Sequence, residues 1–205
     1  MDVPVRLAGE GVLDLAVLRR LVRVAGLVAG DEYNARGAGR IDSRLLAYNA
    51  AAQHWPWVIV RDLDRAPCAV AFVKSLLPQP AEWMCLRVAV RSIESWVLAD
   101  RDGFAEAFKV RLAEIPKTPD EVPNPKLMML HLMSKSRNRV FKESMVRSRP
   151  GTKLEIGPQY NSRLSEFVGE SWNHQCALRS SPTLARAWMR IEEFSARIGD
   201  QWKHK

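Results

Sequence analysis

The chain has 205 residues, with 31 Lys plus Arg against 23 Asp plus Glu and a formal net charge of +8. That length suits one compact domain, or one domain with a modest appended lobe, and is ample for a real core. At 47% hydrophobic and 26% charged, the composition excludes a disordered, collagen-like or membrane-embedded chain.

Val3, Val5 and Leu7 alternate with Pro4, Arg6 and Ala8, which predicts a short strand ending at Gly9-Glu10-Gly11. Leu13, Val17, Leu18, Leu21, Val22 and Val24 then recur at helical spacing, and Gly26 and Gly30 loosen the end of that helix. Residues 31–40, with Gly37 and Gly39, read as turn-rich chain, and 41–53 as a helix. Trp57-Val58-Ile59-Val60 is a continuous apolar run suited to the middle of a parallel sheet, and it ends directly in Arg61-Asp62-Leu63-Asp64. Pro67 opens a helix over 69–77, which Pro78 and Pro80 stop. Residues 83–90 read as a third strand and 91–100 as a helix. Strand and helix alternate three times, so the expected fold class is α/β, a mostly parallel sheet flanked by helices.

Pro116, Pro119, Pro123 and Pro125 make a constrained connection. It divides an α/β core at 1–114 from a basic, mainly helical lobe at 115–205 packed on that core. Within the lobe 126–134 is predicted helical. Ser181 followed by Pro182 marks the start of a closing helix, with Leu184, Trp188, Ile191, Phe194 and Ile198 as its apolar stripe. The apolar-looking region 12–28 is broken by Arg19, Arg20 and Arg23, so it cannot span a bilayer. Residues 1–10 carry an acid at position two and no secretory pattern. Cys68, Cys85 and Cys176 form neither a disulfide framework nor a zinc cluster, so a reducing, cytoplasmic setting without membrane partners is expected.

Acids gather where the strands end. Glu10 follows the first predicted strand, Asp62 and Asp64 the second, and Glu94 the third. Ligands of α/β sheets bind beyond the carboxyl ends of the strands. In an extended segment Asp62 and Asp64 would point the same way. Like charges so close oppose folding unless a cation neutralises them. Mg²⁺, held by one or two carboxylates plus waters and substrate phosphates, is the natural cation, with Mn²⁺ as its substitute. Such an ion activates water and steadies phosphoryl oxygens.

Gly9-Glu10-Gly11 before a helix, with Asp62-Leu63-Asp64 after an apolar strand, resembles the TOPRIM fold of topoisomerases, primases and overcoming-lysogenization-defect nucleases. More narrowly, residues 58–64 and 87–100, continuing through Pro125-Lys126 and Ser180-Ser181-Pro182-Thr183-Leu184, look like a bacterial family of unknown function with a TOPRIM-like core. The resemblance implies Mg²⁺-dependent cleavage of DNA or RNA. Glu10 would act in proton transfer or metal binding, Asp62 and Asp64 would hold metal, and Glu94 would complete a two-metal site. Lys126 or Arg91 would offset charge in the transition state. It also implies an ATPase partner and a role in defence against phage or plasmids. Asp14 sits where nuclease relatives often carry a second acid, with its role open.

Residues 1–102 carry a net charge of +1 and residues 103–205 a net of +7, nearly all of it in 135–153. There Lys135, Arg137, Arg139, Lys142, Arg147, Arg149 and Lys153 face a single acid, Glu143. The readings are a solvated basic face, a docking surface for an acidic protein, or a groove for the phosphate backbone of nucleic acid. Arg87 and Arg91, four apart beside the expected metal site, would clamp a phosphate or neutralise Glu94 or Asp100. Asp100 itself reads as a helix-end acid.

The four histidines lack metal-ligand spacing, and His131 is expected to pack on a helix. Cys68 and Cys85 read as small buried hydrophobes. Trp57, Trp83, Trp96 and Trp188 read as core, while Trp172 either packs or stacks a base. Gly9 and Gly11 lack the third glycine of a dinucleotide fingerprint, and no Walker lysine motif exists. Two rivals to a nuclease stand beside it: a structured-RNA processing enzyme using the same site, and a catalytically silent partner that binds an ATPase.

Overall fold

The computed structural model describes residues 3–148 and 151–202. Four strands, β1 (Pro4–Gly9), β2 (Val28–Asn34), β3 (Trp57–Asp62) and β4 (Met84–Ala89), form one sheet in the order β2-β1-β3-β4. Every pairing in it is parallel. The intervening helices are α1 (Val12–Val24), α2 (Ala38–Ala51) and α3 (Ala69–Leu76). The fold is therefore α/β, with a parallel central sheet flanked by helices and a helical C-terminal region.

Strand alternation sorts the core onto two faces. Val5, Leu7, Val58, Val60 and Cys85 bury against α1 and the C-terminal helices. Ala8, Trp57, Ile59, Met84 and Leu86 bury against Ile41, Leu45 and Tyr48 of α2 and against Leu77. Helices α4 (Ile93–Leu98), α5 (Arg101–Phe108), α6 (Pro125–Ser134), α7 (Arg139–Met145), α8 (Tyr160–Glu170), α9 (His174–Ser180) and α10 (Pro182–Trp202) follow. A two-stranded antiparallel hairpin, β5 (Val146–Arg147) with β6 (Glu155–Ile156), interrupts them. Residues from α6, α8 and α10 share one buried cluster with β1 and α1, so 115–198 adds to the first core instead of building its own.

The turn-rich expectation for 31–40 is corrected: its first residues belong to strand β2. That edge strand is largely exposed and contains Gly30, Asp31 and Glu32, so it lacks apolar alternation and is specified by its pairing with β1. Gly30 is needed there, because a Cβ would lie 2.9 Å from the Pro4 Cβ. The helix expected over 91–100 is α4, which ends at Leu98; Asp100 then caps α5, its side chain accepting from Gly103 N and Asn173 N. Asp100 is thus a helix-end acid that also fixes the start of α9. Cys68 is exposed and only Cys85 is buried. His131 is exposed as well. Trp172 is fully buried, which removes it as a base-stacking platform.

The closing helix starts where its cap signal places it. Ser181 Oγ accepts from Leu184 N at 3.1 Å and donates to Asp120 Oδ1 at 2.7 Å, while Asp120 Oδ2 accepts from Thr183 N at 2.8 Å. This joint ties the proline-rich connection to α10. Ser181→Ala should lower stability by about 1–2 kcal/mol, read as a fall in the urea midpoint at unchanged slope. Among the described residues no helix is long and apolar enough to cross a membrane.

Candidate functional site

In the order β2-β1-β3-β4 the chain leaves β1 first toward one edge and then toward the other, which opens a crevice at the carboxyl ends of β1 and β3. Glu10 follows β1, Asp62 ends β3, and Glu94 lies in the first turn of α4 beyond β4. Asp14 enters from the first turn of α1. Gly9 makes that approach fit, since a Cβ there would lie 2.5 Å from the Asp14 Cβ. Together with Asp64, these acids line one cavity of about 690 Å³. Arg65, Arg91 and Lys126 contribute basic groups to the same walls.

Two arrangements meet in this cavity. Arg61, only 6% exposed, bonds to Glu10 Oε1 at 2.6 Å, to Asp64 Oδ2 at 3.0 Å and to both carboxylate oxygens of Asp42. Its Nη1 also donates to the Asp62 carbonyl. Burial disfavours the Arg61 charge, but the hydrogen bonds to Asp42 and Asp64 and the charge of Glu10 outweigh it and raise its pKa. Glu10 Oε1 additionally accepts from Asp62 N at 3.0 Å, which joins the ends of β1 and β3.

The second arrangement has no cation. Among the described residues, Asp14, Asp62 and Glu94 make no ion pair with Lys or Arg; the pairs in this region all run to Arg61. Asp14 Oδ2 accepts from Gly11 N at 3.1 Å, and its Oδ1 is buried without a hydrogen-bond partner. Burial, then the charges of Glu10 and Glu94, push the Asp14 carboxyl up to about 7. Asp62 is raised well above its usual range by burial and by Asp14, Glu94 and Glu10. Its Oδ1 accepts from Ile93 N at 2.9 Å. Glu94 accepts from Ser92 Oγ at 2.7 Å and from the buried Tyr160 hydroxyl at 3.4 Å. Burial and Glu94 together hold Tyr160 protonated, well above the usual phenol pKa.

Among the described residues no group of three or more His, Cys, Asp or Glu side chains is already set to chelate a metal ion. Glu10 and Asp64 are turned to Arg61, which accounts for part of this. The donor chemistry nevertheless fits a hard divalent ion: an orphaned carboxylate oxygen on Asp14 beside the uncompensated Asp62 and Glu94. Mg²⁺ asks for only one or two carboxylates and completes its octahedron with water.

The structure brings Glu10, Asp62, Asp64, Glu94, Arg91 and Lys126 around one cavity. The parallel orientation expected for Asp62 and Asp64 is corrected. Asp64 adopts φ of 51°, so the chain has left the strand and its carboxylate swings to Arg61. Arg91 is occupied as well, donating to the carbonyls of Ala66 and Asp64 and thereby holding this turn. Arg87 is separated from the acids: it lines a groove at the β4 edge, and its Nε donates to the Leu86 carbonyl. The expectation that Arg87 and Arg91 flank the metal site therefore fails for Arg87.

Lys135, Arg137, Arg139, Lys142, Arg147 and Lys153 are exposed, and Arg149 lies outside the described residues. Lys135 pairs with Glu114 and Arg139 with Glu143. Lys142 and Arg147 line a separate cavity of about 660 Å³. Lys126 lies in the first turn of α6 and Lys135 caps its far end, so the basic stretch starts about 14 Å along the helix from Lys126.

Sequence pattern alone does not single out Arg61, Asp42 or Tyr160, and it leaves the role of Asp14 open. A charged residue directly after the apolar run 57–60 and still within β3 is the available signal for Arg61. Asp14, third after Gly11, carried the signal of a helix-start acid. Nothing local marks Tyr160. No protein-family model, curated protein or solved structure matches the chain.

Proposed function

We propose that the chain is a TOPRIM-like nuclease that hydrolyses phosphodiester bonds of DNA or RNA with Mg²⁺. One observation carries the reading: Asp14, Asp62 and Glu94 meet at the strand ends without a basic partner, one of their buried oxygens having no hydrogen bond at all. A fold without a ligand has no use for this arrangement, because each added carboxylate raises the cost of ionising its neighbours.

A bound Mg²⁺ would supply Lewis-acid charge at the phosphoryl oxygens and would make a bound water easier to deprotonate. Asp62 and Asp14 would hold it, with Glu94 fixed behind them by Ser92 and Tyr160. Glu10, anchored by Arg61 and by Asp62 N, would take a proton or join the ligands. Lys126, at the mouth of the same cavity, would meet a non-bridging phosphate oxygen as charge develops there. Arg91 keeps the turn at 63–66 in place and acts through it. The exposed bases from Lys135 to Lys153 would hold flanking phosphates, without reading sequence.

A second reading rests on Arg61. Its guanidinium already stands as the cation for Glu10 and Asp64, as it would in a catalytically silent relative that only binds a partner such as an ATPase. Cleavage of plasmid, linear duplex DNA and structured RNA with Mg²⁺ or Mn²⁺ separates the two. The nuclease reading expects metal-dependent cutting that Asp62→Asn lowers by about two orders of magnitude or more. Preference for the structured RNA would assign the processing role. Equal divalent-ion binding by the parent and Asp62→Asn, with no cutting by either, leaves the silent reading.

A further inference from the structure

Strand β4 is an edge of the sheet, and among the described residues nothing pairs with its outer side. The Trp83 carbonyl accepts from Trp57 N and the Ala89 carbonyl from Leu63 N, so odd-numbered residues here turn toward β3. The main-chain groups of Met84, Leu86 and Val88 therefore point outward. Met84 N–H is used by the Ala81 carbonyl, and the Leu86 carbonyl by Arg87 Nε. That leaves the Met84 carbonyl, the Leu86 N–H and both groups of Val88 for an added strand.

Met84, Leu86 and Val88 line a groove of about 620 Å³ between α3 and α10, in which Val88 is the most accessible of the three. Its two walls differ. On the α3 side stand Val70, 66% exposed, and Val73. On the α10 side Arg186, Arg190 and Arg197 project along the helix, with Met189 between them. Lys74 and Arg87 bring the bases to five, against the single acid Glu193, which Arg190 already pairs at 2.7 Å. Successive side chains of an added strand would alternate between the α3 wall, apolar apart from Lys74, and the basic α10 wall.

We propose that the β4 edge binds an extended protein segment of alternating acidic and apolar residues as a fifth strand. Main-chain hydrogen bonds would supply the register and the arginines of α10 the charge selectivity. Nucleic acid fits the groove less well: the aromatic residue among those lining it, Phe194, is only 2% exposed and offers no stacking platform. The assignment also gives Arg87 a place away from the acidic cavity and does not depend on what that cavity does.

The test uses the full chain and a fluorescein-labelled octapeptide of alternating Asp and Val, with its Lys-for-Asp counterpart and an oligothymidine as comparisons. The acidic peptide should bind, and the basic one should not. Arg186→Glu with Arg190→Glu should weaken binding about tenfold through like-charge contact. Val88→Pro deletes an outward N–H that the sheet does not use, which edge strands tolerate. It should also weaken binding about tenfold with unchanged thermal unfolding, and the arginine variant carries the test should that strand fail to fold. Amide exchange at Leu86 and Val88 should slow in the complex. No binding, equal binding of the basic peptide, tighter binding of the oligothymidine, or unprotected Leu86 and Val88 amides would each overturn the proposal.

Discussion

In metal-free buffer at pH 8, Asp14→Asn should melt above the parent chain, and the difference should vanish by about pH 4. The sign follows from the carboxyl itself. Its folded value of about 7 stands above the unfolded value of about 3.9, so the folded chain holds the proton more tightly. Whatever stability this contributes is fully present below the unfolded value. It is lost as pH rises from about 4 through about 7, because the unfolded chain releases its proton first. Each unit between the two values is worth about 1.4 kcal/mol. In a chain of this size each kcal/mol recovered is worth about 2–4 °C. Asn keeps the shape and cannot ionise, so the variant escapes the loss. It also removes one of the charges that raise Asp62.

Mg²⁺ should reverse the order. Bound by the folded chain alone, it stabilises in proportion to its affinity, and the parent with its ionised Asp14 gains more than the variant at pH 8. At pH 5 the gain should be small, since a protonated carboxyl is a poor ligand. Melting curves at pH 5 and pH 8, with chelator or with Mg²⁺, give all the comparisons. A variant that tracks the parent across this window in chelator would show that Asp14 ionises freely and is not compressed by its neighbours.

How far the sequence reveals this site depends on the range of the forces that build it. Strands β1, β3 and β4 were legible because Val5, Leu7, Val58, Ile59, Val60 and Leu86 are fully or almost fully buried, and burial writes itself into local pattern. Edge strand β2 buries almost nothing, and its pairing partner is the only thing that makes Val28–Asn34 a strand. The meeting of Glu10, Asp62 and Glu94 was legible for a related reason: parallel topology carries every strand end to the same side of the sheet. What the local pattern does not show is which carboxylates are neutralised from within. Arg61 reaches Asp42 on α2, Glu10 after β1 and Asp64 in the next turn, contacts that exist only after three elements have packed. Tyr160 reaches Glu94 across 66 positions in the chain. The turn at Asp64 depends likewise on Arg91, whose side chain and carbonyl clamp residues 64–66 from the far side of β4.

Arg61→Met should lower stability, and it is the most informative substitution about the cavity. The side chain is 7% exposed and bonds to Glu10, Asp42 and Asp64 at once. Removing the charge strands Glu10, the most buried of the three carboxylates, while water reaches Asp42 and Asp64, so the loss should fall below the about 3–5 kcal/mol of a fully buried pair. Methionine fills much of the same volume and can still lie on the Phe72 ring that the guanidinium covers. The loss is therefore electrostatic rather than a cavity effect. Glu10 and Asp64, released from the guanidinium, then become free to face a divalent ion together with Asp62. Mg²⁺ should accordingly restore more stability to Arg61→Met than it adds to the parent, measured as the shift in urea midpoint between chelator and millimolar Mg²⁺. If Mg²⁺ stabilises neither protein, the carboxylates form an ion network served by Arg61 alone, and the silent reading of the fold holds. If it stabilises the parent but fails to rescue the variant, Asp14, Asp62 and Glu94 hold the ion by themselves and Glu10 belongs to the proton rather than to the metal.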